Sequence, residues 1–177
     1  AKDEISAELL AQYDYLVDRG IKPAFINGHQ HIHVLPNICD VVSKFAKSKN
    51  LLVSIPNYNL SSRVYNIKKI SSAYLSGKLK SRLDSLGVEY NSNFISNFSD
   101  TKRDFSLKGF EKCLQLAQST GSLGSYDYMV HPAQASDGLG KYWLNSDSLV
   151  ADRIQEFESL SNPAFVTFCK KYNFEIV

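Results

Sequence analysis

Residues 25–36 have the sequence FINGHQHIHVLP, in which an apolar stretch leads into a histidine-rich stretch and then a proline. The short apolar run Ala24–Ile26 predicts a buried strand that ends at the polar run starting with Asn27. Pro36 favours the first turn of a helix. The apolar residues that follow share one helical face: Ile38, Val41, Val42 and Phe45. This stretch therefore predicts a strand followed directly by a helix.

The same alternation continues along the chain. Apolar runs predict further strands at Leu51–Ile55, Asn93–Ser96, Tyr126–His131 and Phe174–Val177. Helical periodicity predicts helices at Ile67–Leu86, Ser106–Ser119, Ser148–Leu160 and Ala164–Tyr172. An earlier helix, with one buried face, is expected from Ile5 to Val17, capped by Asp3 and stopped at Gly20.

Strands that alternate with helices indicate parallel βα units, and hence a barrel or a doubly wound sheet. No linker or low-complexity run interrupts the pattern, so residues 1–177 are predicted to form a single α/β domain. The chain holds about five such units, whereas a complete barrel has eight strands and typically about 250 residues. The expectation is therefore either a smaller open sheet or part of a (β/α) barrel.

The composition excludes several classes of protein. With 44% hydrophobic and 21% charged residues, the chain has the composition of a globular protein. The net charge of +2 comes from scattered side chains, so a nucleic-acid partner is not expected. Three cysteines without C-x-x-C spacing indicate neither a disulfide framework nor a cysteine zinc site, and favour a reducing cytoplasm. No membrane span and no signal peptide are predicted.

Three of the four histidines lie in the short run His29–His33, directly after the first predicted strand. In extended backbone, residues two apart point to one face, so His29, His31 and His33 are expected to converge. Imidazole is a common metal ligand, and active sites of parallel sheets form at the carboxyl ends of strands. A metal or catalytic site is the sharper interpretation. In one alternative, all three histidines only form hydrogen bonds with neighbouring carbonyl groups. In another, one histidine binds the metal, and the other two orient it or face the substrate.

The fourth histidine, His131, ends another predicted strand and precedes Pro132. Alone, it would be an ordinary loop residue as readily as a catalytic one. Together with the first cluster, it is a candidate general acid or base opposite a metal.

Both motifs resemble those of one family. Residues 25–36 resemble the signature D-[SG]-H-[QH]-H-x-H-x-x-P of the YdjC-like carbohydrate deacetylases, which include chito-oligosaccharide deacetylases. Residues 128–133 are similar to the family's later motif M-x-H-P-[GA], and the segment from Asp152 onward is similar to its last helix and strand. The resemblance covers nearly the whole chain.

The resemblance implies a distorted, TIM-like (β/α) barrel that uses a divalent metal, Mg²⁺ or Zn²⁺, to deacetylate an N-acetylated oligosaccharide or glycolipid. The family's metal ligands are an aspartate of an A-D-D-[FL]-G motif, a histidine of a G-x-H segment, and the first histidine of the cluster. Here only His29 has a counterpart. The chain is therefore expected to be the C-terminal two-thirds of a deacetylase, without the first strands and inactive alone.

The resemblance also assigns roles to other residues. His131 is expected either to give a proton to the leaving amine or to support a neighbouring group of the site, and His31 and His33 are expected to orient the substrate or water. Asn27, in the place of the family's aspartate, and Asp127, in the place of a frequent glutamate, are expected to contact the substrate. Ser54 stands where the family often has an arginine.

Two other functions are compatible with the sequence. An amidohydrolase-like metal hydrolase also uses H-x-H at a strand end, but it needs further histidines, and only His131 remains. A non-catalytic carbohydrate-binding or assembly fragment would stack sugars on aromatic side chains such as Tyr58, Tyr65, Tyr142 and Trp143. Exposed strand edges would then favour a homodimer.

Overall fold

The computed structural model of the chain describes residues 2–56, 67–96, 104–119, 121, 124–136 and 147–176. The chain divides into two compact units. The first comprises Ala1–Phe94 and Gly124–Asp127, and the second comprises Ile95–Leu123 and Tyr128–Val177. The fold is mixed α/β, with small sheets.

The first unit holds α1 (Lys2–Val17), β1 (Phe25–Ile26), a 3-10 helical segment (His29–Val34), α2 (Pro36–Lys49), β2 (Leu52–Val53) and α3 (Ile67–Leu86). Two strands pass from the first unit into the second: β3 (Asn93–Ser96) and β4 (Tyr126–Met129). The second unit holds α4 (Leu107–Ser119), α5 (Asp147–Ser161) and α6 (Pro163–Lys171). The predicted order of helices and strands is confirmed up to α6.

Strands β1 and β2 are parallel, with Phe25 opposite Leu52 and Ile26 opposite Val53. A parallel bridge joins Val53 to Tyr90, which follows α3. The chain thus makes two successive crossovers through a helix, β1–α2–β2 and β2–α3–Tyr90. This is the predicted parallel βα arrangement, and it brings the carboxyl ends of β1 and β2 to one edge.

The core of the first unit lies between the parallel strands and helices α2 and α3. Ala46, Val53, Leu79 and Leu83 are fully buried there. Burial of apolar surface is the main force that holds such a layer together. Helix α1 contributes only half-buried side chains, because none of its residues is fully buried.

The second unit is built around Phe110 of α4, which is fully buried. Its ring lies 5.5 Å from that of Tyr128 and 5.7 Å from that of Phe165, measured between centroids. Aromatic contacts of this kind add to the stabilisation from burial. They join α4, β4 and α6.

Several sequence predictions about local structure are wrong. Phe25 is 60% exposed and not buried, because successive side chains of a strand point to opposite faces, and Ile26 is the half-buried one. Asp3 is not the cap of α1, since the helix already includes Lys2; its carboxylate lies in the first turn. Residues 174–176 form no strand after the turn at Asn173.

Among the described helices, none is both long and apolar enough to cross a membrane.

Candidate functional site

The histidine-rich stretch does not continue β1 as an extended strand. His29–Val34 is a 3-10 helical segment in which Gln30 (φ 50°) and His31 (φ 59°) have left-handed backbone conformations. The N–H of His31 donates a hydrogen bond to the carbonyl of Gly28 at 2.8 Å. The predicted alternation, with three imidazoles on one face, is therefore wrong. Two consecutive left-handed non-glycine residues are costly and are typical of functional or tightly constrained segments.

His33 fastens this segment to the end of β2. The backbone N–H of Gly28 donates to its Nδ1 at 3.1 Å, so this nitrogen is the acceptor. Its Nε2 lies 2.7 Å from the carbonyl oxygen of Ser54, to which it donates its proton. The ring is 2% exposed. Both ring nitrogens are thus occupied by backbone groups, which gives His33 the geometry of a positioning residue.

Ser54 links His33 to Asp127. The Ser54 hydroxyl donates to Oδ2 of Asp127, a residue of β4. Burial lowers the pKa of His33 below its usual value, opposed by the bond to Ser54 and by the negative charge of Asp127. The place where the family often has an arginine therefore holds a buried hydroxyl that binds a carboxylate.

Gly28 has to be a glycine for reasons of space. A Cβ atom at this position would lie 2.5 Å from Nδ1 of His33, far inside van der Waals contact. We expect Gly28→Ala to lower the free energy of unfolding by about 1–3 kcal/mol, because the ring or the backbone has to move. Gly77, in the interior of α3, has no atom within 4 Å of the same position, and is the matched control.

Gly77→Ala is expected to raise the free energy of unfolding by about 0.5–1 kcal/mol, since alanine is the better helix former. Urea denaturation followed by circular dichroism measures the free energy of unfolding of both variants. Equal effects of the two substitutions would contradict the close packing of Gly28 against His33.

The remaining predicted residues of the first unit differ in exposure. His29 and Asn27 are exposed, while His31 is half-buried. The His31 ring lies edge-on to Phe94, 5.7 Å away between centroids, and 6.1 Å from the His33 ring. Asp127 is half-buried. The structure thus brings His31, His33 and Asp127 into one neighbourhood and leaves His29 at the surface.

The ligand set for a metal ion is incomplete in the described part of the chain. No group of three histidine, cysteine, aspartate or glutamate side chains there could hold an ion together. Protein sites for divalent ions commonly need three or more protein ligands. The described residues alone therefore do not complete a site for the metal that the sequence motif implies.

In the second unit, the His131-Pro132-Ala133 motif lies against α5. The N–H of His131 donates to Oε2 of Glu156 at 2.9 Å, and the N–H of Ala133 donates to the carbonyl oxygen of Arg153 at 3.1 Å. The side chain of His131 is exposed. Glu156 is 1% exposed, and burial raises its pKa despite the nearby Arg153.

Sequence reasoning missed the polar residues that hold these motifs in place. The side chain of Asn91 binds both backbone groups of Ile55, and its Nδ2 donates to the Ile55 carbonyl at 3.0 Å. Glu156 and Arg153 form a buried pair. The available signal was a charged pair three residues apart on α5, a spacing that ordinarily indicates an exposed helix face. Tyr58, Tyr65, Tyr142 and Trp143 lie outside the described residues.

One family model matches nearly the whole chain, and several known proteins are similar to it. A family model described as YdjC-like protein matches residues 1–171. The carbohydrate deacetylase of Clostridium beijerinckii is 21% identical over 99% of this chain and 60% of its own length. The chitooligosaccharide deacetylase of Proteus mirabilis is 30% identical over 74% of this chain and 44% of its own.

A solved structure has a similar fold over the whole chain. It is the crystal structure of a presumed cellobiose-phosphate cleavage protein from Enterococcus faecalis, with a TM-score of 0.68 and 18% identity. The match covers all of this chain and 59% of the length of the Enterococcus faecalis protein. The matches thus span between 44% and 60% of the length of these longer proteins.

Proposed function

The chain belongs to the YdjC-like protein family, and from this premise we propose that it serves the metal-dependent removal of acetyl groups from N-acetylated carbohydrates. The observation that carries the proposal is the family match over residues 1–171, which includes both histidine motifs. The substrate in this proposal is an N-acetylated oligosaccharide or glycolipid. Relatives named carbohydrate and chitooligosaccharide deacetylases support this class.

The proposed architecture is part of a TIM-like (β/α) barrel. Support comes from the two parallel crossovers of the first unit and from the likeness to a solved structure over the whole chain. In such barrels the residues that act on substrate follow the carboxyl ends of the strands. Asn27 and His29 directly follow β1, and His131 follows β4.

The reaction is the hydrolysis of an acetamide. Water adds to the carbonyl carbon, the C–N bond breaks, and the sugar amine leaves with a proton while acetate is released. We assign the donation of that proton to His131, whose side chain is exposed. His31 is assigned to orienting the substrate, as are Asn27 and Asp127, and His33 acts through the segment it fastens.

The divalent ion, Mg²⁺ or Zn²⁺, stays a proposal with His29 as one ligand. The described residues do not complete a site for it. Accordingly, we propose that the 177-residue polypeptide by itself releases little or no acetate. Cytoplasmic location and a homodimer stay predictions.

Calorimetry with the N-acetylglucosamine dimer, with and without Zn²⁺ or Mg²⁺, tests the proposal. Any binding of the sugar dimer is expected to depend on the metal and to be weakened by His29→Gln, with Gln30→Asn as the matched neighbouring control. Metal-independent binding would favour a non-catalytic carbohydrate-binding fragment instead. An assay of acetate release runs in parallel, and robust release by this polypeptide would overturn its proposed inactivity.

A further inference from the structure

Both backbone N–H groups of the His131-Pro132-Ala133 motif are held by one turn of α5. The His131 N–H binds Oε2 of Glu156 at 2.9 Å, and the Ala133 N–H binds the Arg153 carbonyl at 3.1 Å. Pro132, between them, has no N–H to satisfy. The backbone on either side of the proline is thus fixed by a single structural element.

Glu156 is an unusual residue to find in this place. It is 1% exposed. Among the described residues it forms an ion pair with Arg153, whose Nη1 lies 3.3 Å from its Oε2. Burying a carboxylate is unfavourable even when it is paired, and an apolar residue would commonly serve stability as well. A buried carboxylate whose oxygen is shared between an arginine and the N–H of His131 indicates a positioning purpose.

The imidazole of His131 is exposed, whereas its backbone is tied to a buried group. This combination holds the origin of the side chain still while the side chain remains exposed. Precise placement of a proton donor matters because proton transfer requires hydrogen-bond reach. Glu156 itself is too deeply buried to touch a substrate.

We infer that Glu156, supported by Arg153, is a positioning residue for His131. The inference rests on the proposed function, in which His131 gives the proton to the leaving amine. It adds a residue from α5 to the site and explains why an ion pair is kept inside this helix contact.

NMR spectroscopy of the 177-residue protein tests the inference. In the wild type we expect a scalar coupling across the hydrogen bond between the His131 amide nitrogen and the Glu156 carboxyl carbon. Glu156→Leu is expected to speed amide exchange at His131 by about tenfold or more. Glu156→Gln keeps an oxygen acceptor and is expected to stay within about threefold of the wild type. Glu158→Leu, at an exposed position of the same helix, is the matched control and is expected to change nothing.

A titration with the N-acetylglucosamine dimer, in the presence of Zn²⁺ or Mg²⁺, separates positioning from simple stabilisation. The shift of the His131 ring signals on sugar addition is expected to survive in Glu156→Gln and Glu158→Leu and to be lost in Glu156→Leu. Absence of the coupling in the wild type, or equal His131 exchange in Glu156→Leu and Glu158→Leu, would overturn the inference. If Glu156→Leu does not fold, the inference is tested by the scalar coupling in the wild type and by the His131 amide exchange of Glu156→Gln. Absence of sugar-induced shifts in the wild type would count against the proposed function alone.

Discussion

Replacing His33 with alanine is expected to lower the free energy of unfolding by about 3–5 kcal/mol. The ring is 2% exposed, so its removal leaves a cavity, and it deprives the Gly28 N–H and the Ser54 carbonyl of their partner. Because whole domains are commonly stable by only about 5–15 kcal/mol, this change removes a large part of the total. Chemical denaturation followed by circular dichroism measures it.

His29→Ala is the natural control for this experiment, since His29 is exposed in the same segment. We expect it to change the free energy of unfolding by less than about 0.5 kcal/mol.

The stability of the protein is also expected to depend on pH through His33. The pKa of His33 is lower in the folded protein than its usual 6.5, so the unfolded chain binds more protons below that value. The contribution of His33 to the free energy of unfolding is therefore fully present above the usual pKa and decreases as the pH falls through it. The pH dependence that this contribution causes is expected to be absent in His33→Ala. A variant as stable as the wild type, with the same pH profile, would contradict the described role of the ring.

Arg153→Met is expected to cost about 3–5 kcal/mol of unfolding free energy at neutral pH. The substitution keeps the length of the apolar stem but leaves the carboxylate of Glu156 buried without the guanidinium at 3.3 Å. Adding Glu156→Gln removes the stranded charge and preserves an acceptor for the His131 N–H. The double variant is expected to recover more than half of the loss.

Lys171→Met provides the comparison within the same unit. Lys171 also pairs with a glutamate, Glu111, at 2.7 Å, but its side chain is 57% exposed. Exposed ion pairs contribute less than about 1 kcal/mol, so this loss is expected to be small. Similar losses for the two variants would mean that the burial of the Arg153–Glu156 pair has no energetic consequence.

Periodicity predicted the helices and strands well because it reflects burial on one face. The apolar face of α2, with Val41 and Val42 buried, is an example. The conformation of the histidine-rich stretch was not predictable in this way. Residues two apart share a face only in extended backbone, and nothing in the letters of Gln30 and His31 signals positive φ values.

The roles of individual polar residues were equally hidden, because they depend on partners distant in sequence. His33 was grouped with His29 and His31 by proximity along the chain, yet its partner Ser54 lies 21 residues away. Glu156 acts on a residue 25 positions earlier. Spacing indicated where a site lies, whereas the division between groups that face solvent and groups that fasten the backbone required coordinates.

The left-handed pair at Gln30 and His31 also constrains how this stretch can vary. Such backbone tolerates asparagine, aspartate or glycine with little strain, but branching at Cβ makes valine, isoleucine or threonine poorly compatible. The side chains that fit at these two positions are thus limited by backbone geometry as well as by the chemistry of the site. An amino-acid exchange tolerated elsewhere on the surface would here redirect the course of the polypeptide between the first strand and the helix that follows it.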